Sequence, residues 1–505
     1  MKTIAKIDPE KEYENAKKLI ELASKQALGN DEAGSLDASV DNLITAARVL
    51  IEREERRRGH KNIPPATNKP KGRESGKDRE EAKKLPSVRY PNLEVNETIV
   101  KLDPLPICSC CNKEMKESGL FDTAEKLEVI PKIYFITRIK RPKYNCSNCH
   151  GSMINTVAEP SIVPTSNYGD SLIIDVALSK YCDLIPIERY AEMAFRAGLN
   201  NELPAQSLIG LTHHLANFLN LVYEKIKEEV LKTIVLQADE TPHKMLEGDE
   251  TSNWYLWGFI SNIACYFEVH NTRSGDVAYA FLELSKAQFL VSDGYAGYGK
   301  AIRKLKEENT RTVIEVHCNA HAYRYFKDAS ITWTEECIDF LNLYGTIYEL
   351  ERERKELQNK ITPSEQLEFR KKMVPFFEEI KNKCEIKKKD AMPESGLMKA
   401  CNYYLNHYDG LTICTTNIDI PLDNNLSERE LRSPVIGRKT WYGSHSKRGA
   451  LTSAVLFSIV QSCKLNNVNP RSYFPWIVNR IHNKESILTP HEYLLQITQK
   501  PLLSG

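Results

Sequence analysis

The sequence predicts a multidomain α/β protein whose largest unit is built on a mixed sheet, and three observations predict it. Between residues 231 and 316, short runs rich in β-branched and aromatic residues recur at strand length, with helical intervals before the last two. Upstream, two C-x2-C pairs mark a separate metal-binding region. Downstream, a charged helical stretch of about 334–414 carries no strand signal and interrupts the sheet domain.

At 505 residues and 57.7 kDa the chain is long enough for several domains and a sizeable core. Lys+Arg (69) and Asp+Glu (68) nearly cancel, so net charge alone gives no reason for a polyanionic partner. The distribution says more: basic residues cluster from Arg53 to Arg89 and from Arg429 to Arg448, so a nucleic-acid face can sit inside a neutral total. No apolar run is long enough to span a bilayer and the N-terminus lacks the apolar core of a signal peptide, which predicts a cytoplasmic protein without a membrane role. Thirteen cysteines in a reducing compartment point to thiols or metal ligands rather than disulfides.

Residues 1–58 read as an N-terminal helical, coiled-coil-like region. Leu36, Val40, Leu43, Ala47 and Leu50 form a heptad seam, but a short one, and a helical hairpin fits equally. Residues 59–95 are basic, rich in Pro and Gly and poor in apolar residues, and so form a flexible linker, either merely solvated or contacting phosphates. In residues 96–158, Cys108 and Cys111 with Cys146 and Cys149 have the spacing of a four-thiolate structural Zn²⁺ site, with Cys110 as a competing ligand and a β-like stretch, Leu127 to Ile139, between the knuckles. Residues 159–228 read as three helices, the last running unbroken from Pro204, in a helix-turn-helix-like arrangement that a plain bundle would also produce. His213 and His214 on the last helix are expected to pack or face solvent.

The sheet domain spans 229–463. Its first strand ends on Asp239 and its fourth, QFLVSDG, on Asp293. Three strands, a helix, a strand, a helix and a strand is the order of the RNase H-like fold, in which the first and fourth strands are neighbours, so both acids reach one sheet edge. Oxygen ligands placed so can hold divalent cations. Asp276 is expected to cap a helix. After the fifth strand, HCNAHAYRYF supplies Cys318 and His321, which without a second pair make a poor zinc site and are expected to support the acids, with Arg324 beside them as a DNA contact. In DNNLSERELRSPVIGRK a helix beginning near Asn425 presents Glu428 from its first turn. It is either an ordinary charged face, or Glu428 is the third metal ligand and Arg429, Arg432, Arg438, Lys439, Lys447 and Arg448 hold phosphates. Residues 464–505 read as a C-terminal helical tail.

The motifs KRPKYNCSNC, ALSKYCDLIPIERY, ADET, SDGYAGY, CNAHAYRYF, DNNLSERELR and GRKTWYGSHSKRGA, in this order, resemble those of the insertion sequence 66 family of transposases, in the DDE group. The resemblance runs from about residue 96 to 475. It implies an N-terminal DNA-recognition region with zinc, an RNase H-like catalytic domain with a helical insertion, and Asp239, Asp293 and Glu428 as catalytic acids holding two Mg²⁺ ions. The expected partners are double-stranded DNA, as element ends and as target, further copies of the chain in a homo-oligomer, and companion proteins of the element; the expected location is the prokaryotic nucleoid. In-line cutting needs an activated oxygen nucleophile and a stabilised leaving oxygen, and a metal pair serves both. Water would release a 3′-hydroxyl, which would then attack target DNA. Two alternatives stand beside this reading: a structure-specific nuclease of the same fold, and a zinc-containing DNA-binding regulator without catalysis. The knuckle CSCCN departs from the family in its extra cysteine and in Asn112 where glycine is usual.

Overall fold

The structure is a computed structural model. It describes residues 166–199, 203–246, 253–391 and 393–499, with short stretches between 84 and 164. The expected N-terminal helices, most of the basic linker and all four zinc-site cysteines lie outside the described residues. The described residues fall into two units, one within Arg56–Ile136 and the other from Thr137 onward.

In the first unit a single helical turn, Pro86–Arg89, is held by Ser87, whose amide and hydroxyl both donate to the Glu125 carboxylate at 2.7 Å. The stretch expected to be β-like, Leu127 to Ile139, carries no ladder among its described residues. Regular pairing begins just after it in the second unit, where β1 (Lys143–Tyr144) pairs antiparallel with β2 (Ile154–Asn155).

The second unit is organised by a five-stranded sheet. Its strands are β3 (Val235–Lys244), β4 (Asn253–Ile260), β5 (Cys265–His270), β6 (Phe289–Ser292) and β7 (Ile314–His317), in the order β5-β4-β3-β6-β7. β3–β4 and β4–β5 are antiparallel; β3–β6 and β6–β7 are parallel. The first and fourth strands of the series are therefore neighbours, as the sequence predicts. β3 itself differs from expectation, because it does not end at Asp239. It runs on to Lys244 against β4, whereas β6 accompanies it only over Val235–Gln237. Beyond Gln237 β6 no longer pairs with that side of β3, which Asn424 meets at Ala238 and Ser444 at Lys244, and Pro242, with no N–H to donate, is tolerated between them.

Alternation along the sheet builds two cores. One face, with Leu236, Ala238 and Leu290, packs against α5 (Gly275–Leu284) and α6 (Ala296–Glu307), where Phe281 stacks on Phe259 of β4 at 3.8 Å. Ser274, not Asp276, caps α5: its hydroxyl accepts from the Asp276 amide, since a cap must precede the first turn rather than lie within it. The same core extends to α1 (Asp170–Tyr181), α2 (Ile187–Arg196), α3 (Ala205–Phe218) and α4 (Asn220–Leu231). The last two were expected to be one helix. They divide at Leu219, which is wholly buried, and no Gly or Pro announces the break.

The opposite face, with Val291 and Val316, packs against helices that leave and return to the sheet: α7 (Asn319–Ala329), α8 (Thr334–Leu357), α10 (Val374–Asp390) and α11 (Gly396–Thr412), while α9 (Pro363–Lys371), between α8 and α10 in the chain, packs on α8. Buried Arg370 ties this group together. It donates to the Glu351 carboxylate and to the carbonyls of Cys414 and Ile420, fixing the segment that leads back to the sheet. That segment opens α12 (Asn425–Trp441), followed by α13 (Lys447–Leu465), α14 (Pro470–His482) and α15 (Pro490–Gln499).

α13 lies along β5, an edge of the sheet. Ser458 and Ser462 accept hydrogen bonds from the Phe267 and Cys265 amides at 2.8 and 2.9 Å, and Asn466 donates to the Ile263 carbonyl at 2.7 Å. Four residues of helix rise about 6 Å and two of strand about 6.8 Å, so side chains at i, i+4 and i+8 meet alternate residues of the strand. His213 of α3 also bonds α13, through Thr452 at 2.7 Å, and so packs as expected. Among the described residues no helix is long and apolar enough to cross a membrane.

Candidate functional site

Parallel pairing places Gln237 opposite Val291, and carrying that register two residues further puts Asp239 opposite Asp293. Asp239 lies on the β3 face that carries Gln237 and Thr241, just beyond the end of the pairing with β6. Its Oδ1 accepts from the Glu240 amide at 2.9 Å. Asp293 sits in the turn after β6. There Gly294 adopts φ +89°, Asp293 Oδ1 accepts from the Tyr295 amide at 2.9 Å, and its carbonyl accepts from the Tyr403 hydroxyl of α11 at 3.0 Å.

Glu428 arrives from the first turn of α12. Asn424, fully buried, sets the start of that helix: its side-chain amide donates to the Ala238 carbonyl at 3.1 Å, next to Asp239, and its backbone N–H donates to Cys318 Sγ at 3.2 Å. The first turns of α7 and α12 are thus joined to β3 through one residue. Glu428 Oε1 lies 3.7 Å from His321 Nδ1, and Oε2 lies 3.9 Å from Arg324.

The electrostatics agree with this convergence. Burial first, then the neighbouring carboxylates Glu240 and Asp293 and, more weakly, Glu428, push the Asp239 carboxyl up to about 8. Glu240 points to the other face of β3, where Tyr298 donates to it at 2.6 Å and Arg273 pairs with it at 2.6 Å, with the guanidinium over the Tyr295 ring. Burial raises Glu240 too, against the pull of Tyr298 and Arg273.

Among the described residues, one trio of metal-ligating side chains has its ligand atoms all within 4.8 Å of one another, and it is Cys318, His321 and Glu428. The three acids do not form so tight a group. From the sequence, Cys318 and His321 lack the second pair that a zinc site needs. The structure brings Glu428 beside them from more than a hundred residues later, a distance no spacing rule spans.

The basic residues expected to hold phosphates are distributed around this centre. Arg438 donates to Thr241 at 3.1 Å, on the same face of β3 as Asp239. Arg432 and Lys439 are exposed and lie on the Glu428 side of α12 by helical spacing. Arg429 is paired with Glu430 at 3.0 Å. Lys447 and Arg448 are exposed in the first turn of α13, and Arg324 is exposed on α7. Glu240, Tyr298, Tyr403 and Asn424 were not singled out from the sequence. Glu240 stood in plain sight in ADET, but its opposite orientation appears only once the strand is known to continue.

Comparison with known proteins gives a consistent picture. Residues 165–452 match the model of the IS66 transposase family, and residues 106–150 match the zinc-finger binding domain of transposase IS66. The chain is similar to two uncharacterized proteins of Sinorhizobium fredii (strain NBRC 101917 / NGR234). It is 24% identical to y4jD over 77% of each chain, and 23% identical to y4hP over 76% of this chain and 72% of that one.

Proposed function

Since the chain belongs to the IS66 transposase family, we propose that it binds the ends of its element, cleaves a strand there to a 3′-hydroxyl in a divalent-metal-dependent reaction, and joins that end to target DNA. The observation that carries this reading is the meeting of Asp239, Asp293 and Glu428, from a strand, a turn and a helix start, at one end of a five-stranded sheet whose order we read as RNase H-like. Mg²⁺ fits this donor set. The donors are all carboxylate oxygens, Asp239 is raised by burial and then by its neighbours' charge, and buried Glu428 Oε1 has no hydrogen-bond partner. Asp239, Asp293 and Glu428 would hold the ions, which when bound polarise the phosphodiester and activate the attacking oxygen.

The chain's own residues do the rest. Arg438, Arg432 and Lys439 on α12, Lys447 and Arg448 on α13 and Arg324 on α7 bind and orient phosphates, so that the scissile bond faces the acids. Tyr403 and Asn424 hold the backbone at Asp293 and beside Asp239. The match to a zinc-finger binding domain supports DNA contact upstream, with Zn²⁺ on Cys108, Cys111, Cys146 and Cys149. Residues 159–228 are assigned to end recognition alongside it.

The test is cleavage and joining of a labelled duplex bearing the element's own end, with Mg²⁺. Wild type is expected to yield cleaved and joined products, and Asp239→Asn to lose both by at least about 100-fold. Cleavage without joining by wild type would instead favour a nuclease. Equal activity in the variant would remove Asp239 from the site.

A further inference from the structure

We propose that Cys318, His321 and Glu428 bind one thiophilic divalent ion of the Zn²⁺ class, at a site whose ligand chemistry is distinct from that of the three acids but which shares Glu428 with them. Three observations lead to it. The ligand atoms of the trio lie within 4.8 Å of one another. Two of them, His321 Nδ1 and Glu428 Oε1, are buried, lack any hydrogen-bond partner and face each other at 3.7 Å. That is too long for a hydrogen bond, yet close to the roughly 3.3 Å that separates nitrogen and oxygen ligands of one tetrahedral zinc. Buried polar atoms are ordinarily paired, so two orphans facing one another call for a shared partner.

The third observation is that the backbone carrying all three is locked. Cys318 closes β7 and caps α7, His321 stands in the first turn of α7, and Glu428 stands in the first turn of α12. Asn319 joins the two: its amide donates to the Leu422 carbonyl at 3.0 Å, and its side chain donates to the Leu411 and Leu422 carbonyls at 2.9 and 3.1 Å. Only side-chain adjustments of about 1 Å are needed to close the trio on an ion.

Thiolate and imidazole select a late first-row ion, whereas Mg²⁺ demands oxygen and octahedral geometry. Binding displaces the Cys318 thiol proton to solvent and forms a metal–sulfur bond, leaving a fourth position open. Because the ion takes Glu428, it competes with the proposed Mg²⁺ site, and micromolar Zn²⁺ is expected to inhibit the Mg²⁺-dependent reaction. That consequence alone rests on the proposed function.

The test is titration of the full-length protein, its N-terminal finger already loaded with Zn²⁺, with Co²⁺ in millimolar Mg²⁺. One further equivalent of Co²⁺ should bind with near-ultraviolet thiolate-to-metal absorption. Cys318→Ser should abolish that absorption, and His321→Gln should weaken binding at least about tenfold. Should Cys318→Ser fail to fold, His321→Gln decides alone. No absorption in the wild type, absorption persisting in Cys318→Ser, unaltered affinity in His321→Gln, or displacement by Mg²⁺ would each overturn the proposal. Co²⁺ binding without any DNA cleavage leaves this site standing and removes the catalytic reading; cleavage without Co²⁺ binding does the reverse.

Discussion

Glu229 on α4 is a carboxylate held where its charge is disfavoured. Thr489 donates to one oxygen at 2.7 Å, but the other is buried without a partner, and burial pushes the group from 4.5 to about 7. Below about pH 4.5 folded and unfolded chains both carry the proton. As pH rises toward 7 the unfolded chain gives it up first, so stability falls across that window and levels off above it. Glu229→Gln removes the penalty. Denaturant unfolding should show it more stable than wild type by about 2 kcal/mol above pH 7 and no more stable near pH 4.5. The residue scale is also where the sequence speaks most directly about the site. Asp239 and Asp293 are legible because each follows an apolar run, and Glu428 because it opens a helix. What these residues face is not legible: Asn424 looks like one more polar residue in DNNLS, yet it is the joint between β3, Cys318 and α12.

At the scale of elements, α11 is pressed against β7 through Gly410. A β-carbon there would lie 2.1 Å from His317 Nδ1 and 3.1 Å from the Glu315 carbonyl, so only glycine permits the approach. Gly410→Ala should destabilise the protein by about 1 to 3 kcal/mol, measured by urea unfolding. It should also lower the proposed cleavage activity, because α11 carries the Tyr403 that holds the Asp293 turn. That the first and fourth strands are neighbours was legible from the order of apolar runs and helices. The continuation of β3 past Asp239 was not, since the apolar run stops there and the pairing of Thr241, Pro242 and His243 depends on β4 lying alongside. The division between α3 and α4 escaped for a related reason: packing around buried Leu219 sets it, not a helix-breaking residue.

Across the second unit, the two faces of one sheet serve two cores, and the chain crosses between them at the candidate site. The expected boundary between residues 159–228 and the sheet domain marks no break in the apolar core, because α1–α4 share it with β3, β4 and β5. The sheet edge at β5 is covered by α13 rather than left open, as long edges otherwise invite pairing with other chains. Replacing both Ser458 and Ser462 with alanine would orphan two buried strand amides. Denaturant unfolding should show a loss on the order of 2 to 5 kcal/mol, and light scattering should show increased self-association. The same ladder has a consequence in time. Residues 458–466 leave the ribosome roughly ten to forty seconds after residues 263–267, at ordinary elongation rates. Through that interval β5 has neither of its serine acceptors, so the growing chain carries a bare strand edge. Slow decoding between the two segments would lengthen that exposure and lower the yield of native protein without altering a single residue.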